Sequence, residues 1–120
     1  MDKVRLRNLL PSPQIVNQEE TQVTIHFKAM HDSAEQEVNL IFEVDPSNNN
    51  VFILEDGSLK KQVKFKNKVP AGSYGDLKNN VVVKVLQEPS NELELLGVQL
   101  KWENKGGRDS IVKSFISVTK

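Results

Sequence analysis

Apolar and polar residues alternate along most of this chain. Val23, Ile25, Phe27 and Ala29 are interleaved with Thr24, His26 and Lys28, and Val38, Leu40, Phe42 and Val44 with Asn39, Ile41 and Glu43. Val63 and Phe65 alternate with Lys64 and Lys66. Val81, Val83 and Val85 share one phase. Val98, Leu100 and Trp102 alternate with Gln99, Lys101 and Glu103, and Val112, Ile116 and Val118 close the chain. A period of two marks strands with one face on a core and one in water. The β-branched residues that dominate the apolar phase suit such a pleated, half-buried surface. The pattern predicts about eight strands, over 2–8, 21–30, 36–45, 50–55, 59–68, 80–88, 95–104 and 110–119.

Turn chemistry falls between these segments. Asp45-Pro46-Ser47-Asn48-Asn49-Asn50 reads as a loop, and Glu55-Asp56-Gly57-Ser58 as a tight hairpin, because Asp-Gly tolerates the positive φ of a primed turn. Pro70 to Asp76 forms a longer corner, Pro89-Ser90-Asn91 a turn, and Asn104 to Asp109 the last connection. Asp32 to Glu37 offers either one helical turn capped by Asp32 or a polar loop, and the loop is the simpler reading.

Each strand has one apolar face to bury, so a two-sheet antiparallel sandwich is the expected architecture and a closed small barrel the alternative. The outline resembles an immunoglobulin-like domain of the fibronectin type III or bacterial adhesion kind. Pro11 to Glu19 looks like a kinked first strand and Thr21 to Phe27 like the long second strand. Lys64-Phe65, running through Pro70-Ala71-Gly72-Ser73-Tyr74 to Val81-Val82-Val83, looks like a strand–corner–strand unit. The resemblance implies an all-β, immunoglobulin-like sandwich and carries no activity with it.

Composition narrows the chemistry. The 120 residues suit one domain, 1–120, and the absence of cysteine excludes disulfides, thiolate metal sites and cysteine nucleophiles. Lys+Arg and Asp+Glu both number 16, so a bulk polycation is excluded. The charged start Met1-Asp2-Lys3-Val4-Arg5-Leu6-Arg7 lacks the apolar run of a signal peptide, and the longest apolar runs, such as Val51–Leu54, are far too short for a membrane helix. A cytoplasmic protein is expected from the chain as it stands, or a secreted one if it is an excised domain.

Catalytic constellations are missing. His26 falls on the polar face of a strand and His31 at its end, and no serine stands in a nucleophile elbow. The spacing of the two histidines does not favour a transition metal, no nucleotide motif is present, and no cofactor is called for. Glu92 and Glu94 alternate with Leu93 and Leu95, which puts the carboxylates on an outer face as solvating charge. Loop carboxylates Asp45, Asp56 and Asp76 are candidates for calcium, although Asp is also an ordinary turn residue.

Two features stand above this background. Lys60, Lys64, Lys66 and Lys68 recur at period two on the 59–68 strand, with Lys61 out of phase. Together with Lys84 and Lys101 they would form a basic face, while Glu19, Glu20, Glu35, Glu37 and Glu43 gather elsewhere. Lysines on an exposed strand also discourage edge-to-edge pairing, and nucleic acid is not the expected partner. Second, Ile41 and Phe115 face away from the apolar sets of their own strands, and a strand apolar on both faces is central or covered. The expectation is a non-catalytic interaction or spacer module, meeting a protein partner or a second copy through Ile41, Phe115 and the lysine face. The alternative is a calcium-, lipid- or carbohydrate-binding sandwich using its loops.

Overall fold

The apolar phase of each alternating segment turns to a shared interior. Ile25, Phe27, Leu40, Phe42, Leu100 and Ile116 are fully or almost fully buried there, each contributing roughly 1.5–3 kcal/mol. The computed structural model describes residues 2–120. Met1, at the start of the predicted domain, lies outside them.

The strands are β1 (Val4–Ser12), β2 (Ile15–Val16), β3 (Glu20–His31), β4 (Gln36–Val44), β5 (Val51–Glu55), β6 (Ser58–Lys60), β7 (Gln62–Val69), β8 (Gly75–Val85), β9 (Leu93–Trp102) and β10 (Ile111–Thr119), with a 3-10 turn at Arg108–Ser110. They form two five-stranded sheets, ordered β1-β3-β8-β5-β6 and β2-β10-β9-β4-β7. The fold is an all-β sandwich, and because the sheets remain separate the closed barrel is set aside. Phe42 of β4 stacks on Phe65 of β7, with ring centroids 5.7 Å apart. Among the described residues no helix is long and apolar enough to cross a membrane.

Ten strands replace eight because the chain changes sheets in two places where periodicity is silent. The predicted strand 2–8 runs on to Ser12, with a register shift between Arg7 and Leu10 where Asn8 adopts φ 56°. Past a cis Ser12–Pro13 bond, Ile15 and Val16 then pair in parallel with Ser117 and Val118 of the other sheet. The segment 59–68 also divides. Asp56 (φ 51°) and Gly57 (φ 79°) make the expected primed turn, with Glu55 opposite Ser58, and β6 stays in the first sheet. At Lys61 the chain crosses, and β7 pairs with β4 in the second sheet. Lys60 therefore does not share a face with Lys64, Lys66 and Lys68.

One further boundary shifts, and the loop reading after His31 holds. β8 starts at Gly75 rather than 80, because Asp76, Lys78 and Asn80 pair with β3 although Leu77 is the only large apolar residue in that stretch. Asp32 to Glu35 is a loop, and His31 above it is buried. The His31 Nδ1 accepts the backbone N–H groups of Ser33 and Ala34, both at 3.2 Å, which assigns the ring hydrogen to Nε2.

Candidate functional site

The outer face of the second sheet carries most of the residues singled out by sequence. Ile41 is half-buried there, between Lys101 on β9 and Lys64 on β7. Phe115 is 44% exposed on β10. The lysines of β7 do not form a free basic patch. Lys64 meets Glu103 at 2.8 Å, Lys66 meets Glu37 at 3.8 Å and Lys68 meets Glu35 at 3.0 Å. The hydrogen bond from Lys64 holds the Glu103 carboxyl below the usual range. Lys60, in the other sheet, pairs with Glu55 at 2.7 Å, and that hydrogen bond raises the ammonium's pKa.

The expected separation of acids from lysines is thus reversed at Glu35 and Glu37, which antiparallel pairing of β4 with β7 sets opposite the lysines. Lys84 belongs to the first sheet, bonded to Glu19 and Glu20, and is not a neighbour of Lys101.

Large apolar side chains also stand uncovered. Leu93 (52% exposed) and Leu95 (64%) lie on the outer face of β9, Phe115 on β10 and Ile15 (60%) on β2. The ladders bring them together: Ser117 faces both Leu95 and Ile15, Thr119 faces Leu93, and Phe115 faces Gly97. The outward phase of Leu93 and Leu95 corrects the expectation that Glu92 and Glu94 occupy the outer face. Val98, Leu100 and Trp102 fix the even positions as inward, so extending the period back along β9 turns Glu94 inward and Leu95 outward. That signal was in the sequence. Ile15 had none, since a two-residue strand shows no period.

Gly97 sits in the middle of this face. The ladder runs unbroken through it, with Ser114 opposite Val98 and Ile116 opposite Leu96, and its φ is not in the left-handed region. A Cβ placed there would meet nothing within 4 Å. Glycine inside a strand costs roughly 0.5–1 kcal/mol relative to alanine, and neither a bulge nor a tight contact explains it here. A depression of about 240 Å³ opens beside Gly97, walled by Glu43, Asp45, Pro46, Gln99 and Lys113.

Other candidate chemistry is dispersed. Asp45 lies in the loop beside the Val85 end of β8, whereas Asp76 stands next to the opposite end of that strand and pairs with Lys28 at 3.3 Å. Asp56 occupies the β5–β6 turn, so the three loop carboxylates do not converge. The Asp45 carboxylate accepts bonds from the Ser47 hydroxyl (2.7 Å) and backbone N–H (2.9 Å), which hold its pKa down. Among the described residues no three His, Asp or Glu side chains gather as a metal site. His26 points outward, its backbone register opposite Leu10 and Lys78, and His31 inward. A larger cleft of about 480 Å³ lies between the sheets, but Ile53, Val63, Phe65 and Val81 in its lining are all buried. Nearby, Asn79 donates to Asn67 across the two sheets at 2.9 Å.

Among solved structures, the chain is similar to the N-terminal domain of PorA, at 16% identity over 97% of each chain and with a TM-score of 0.42. No family profile and no curated protein sequence matches it.

Proposed function

We propose that this chain is a non-catalytic protein-interaction module, a β-sandwich that engages a protein through the apolar end of its second sheet. The observation that carries the reading is the grouping of Ile15, Leu93, Leu95 and Phe115 on one face, all solvent-exposed, around a strand glycine. Large apolar side chains gathered on a surface mark interaction sites, whereas singly scattered ones do not. The lysine face plays a different part. Its members are matched by carboxylates and protect the β7 edge from unwanted pairing. The sheet change at Pro11 to Glu19 and the corner at Pro70 to Tyr74 support kinship with fibronectin type III or adhesion-type domains, which suits a module built for contact.

The test is site-directed photo-crosslinking in the cells that make the protein. A crosslinking side chain at Leu95 is expected to capture a discrete protein, while one at Thr24, on the outer face of the first sheet, captures none. Equal capture from both positions, or none from Leu95, overturns the reading.

A further inference from the structure

Phe115 and Gly97 are direct cross-strand neighbours, one projecting from the outer face and the other leaving it open. We infer that the protein associates with a second copy of itself, Phe115 of each copy entering the depression beside Gly97 of the other. The inference rests on the interaction reading above and names the partner.

The geometry is self-complementary. Two copies packed face to face are related by a two-fold axis lying in their interface. An axis parallel to the strands, between β9 and β10, exchanges positions that are directly opposite on the ladder. It therefore sets Phe115 over Gly97 of the second copy, and the reverse, in a single operation. The same axis sets Leu95 over Ser117, whose ladder neighbours Leu95 and Ile15 flank it on the same face.

Charge agrees with this placement. Lys113, two residues from Phe115 on the same outer phase, makes no ion pair among the described residues. Lys113 of the same copy lines one wall of the depression, and the far wall carries two carboxylates, Asp45 and Glu43, the latter accepting from Gln99 at 3.1 Å. Entry of Phe115 carries Lys113 toward that wall in the second copy. A glycine that the fold does not need is explained as well, since a side chain at 97 would fill the space an aromatic ring takes. Glycine inside a strand often marks the close approach of another molecule. The strip from β2 to β4 offers on the order of 500 Å² of footprint per copy, from four strands about 4.8 Å apart. That is below the usual specific interface and gives a concentration-dependent dimer rather than an obligate one.

Sedimentation equilibrium of the full chain over a wide concentration range tests this. Wild type is expected to move from monomer to dimer. Gly97→Val is expected to weaken association by about tenfold or more while melting at or above the wild-type midpoint. Phe115→Ala, at a solvent-facing position, is expected to weaken association to a similar degree and carries the test if valine disturbs the ladder. Mixing the two variants is expected to recover part of the association, since the ring of one meets the open depression of the other at one of the two contacts. A wild type that stays monomeric throughout, or a Gly97→Val protein that dimerises like wild type, overturns the inference. If wild type is monomeric while Leu95 crosslinks a different protein, the self-association fails and the interaction reading stands.

Discussion

Lys61 shows how much one side chain can do where a chain changes sheets. Its ammonium donates to the carbonyls of Asn48 and Val51, the latter at 2.6 Å, and lies 4.0 Å from the Phe52 ring centre. Its own carbonyl accepts the Val44 N–H at 2.9 Å. Partial burial pulls the Lys61 pKa below its ordinary value, with the charge of Asp45 opposing the shift. Replacing Lys61 with methionine keeps the apolar stem but leaves two carbonyls without this donor. Stability should fall by about 1–3 kcal/mol, read from the urea midpoint. The same change at Lys66, an exposed lysine on β7, should stay within about 0.5 kcal/mol. The sequence marked Lys61 as the lysine out of phase with its neighbours, but periodicity says nothing about a carbonyl brought in from another loop. Asp56-Gly57 was fully legible, because the φ requirement of the turn is local. Gly106 was not: a Cβ there would strike the Ser110 side chain, a contact made only once the last loop folds back.

At the scale of elements, β1 depends on charge as well as on its ladder. Arg5 bonds Asp32 at 2.6 Å, and both Lys3 and Arg5 reach Asp109, at 3.1 and 3.2 Å. The Arg5 hydrogen bond is the main cause of the lowered Asp32 pKa, and the Lys3 hydrogen bond the main cause at Asp109. A carboxyl depressed in the folded state contributes stability that is fully present above its unfolded pKa, about 3.9, and is lost as pH falls through the folded value. Asp32→Asn is therefore expected to lower the urea midpoint at neutral pH. Its deficit relative to wild type should shrink and vanish in strong acid, where the wild-type carboxyl is protonated too. A deficit that stays constant into strong acid would assign Asp32 a packing role instead. The strand segments themselves were legible wherever one phase was apolar. The misses share one cause: β2 is too short to show a period, the first half of β8 is polar in nearly every position, and β6 and β7 read as one strand because the lysine phase continues across the crossing.

For the whole molecule, period two announced a sandwich but not which strands adjoin, and charge depends on that order. The β4–β7 pairing sets Glu35 and Glu37 against lysines that a linear reading placed apart from them. With zero formal net charge and those lysines matched, the protein is expected to pass through a heparin column at low salt. Retention that moderate salt reverses would point instead to an uncompensated basic face. The parallel pairing of Ile15 and Val16 with Ser117 and Val118 reaches into time as well as space. It joins residues 15 and 16 to residues 117 and 118, so the β2 edge of the second sheet stays incomplete until β10, about a hundred residues later, has been made. At roughly 5–20 residues per second, the earlier strands spend several seconds on the ribosome with apolar faces made but not closed. Loop-closure entropy must be met before that pairing returns any stability, which places the protein among slow, non-local folders. The exposed end that suits a folded partner is then also the last part of the sheet to be finished, and the nascent chain needs protection there first.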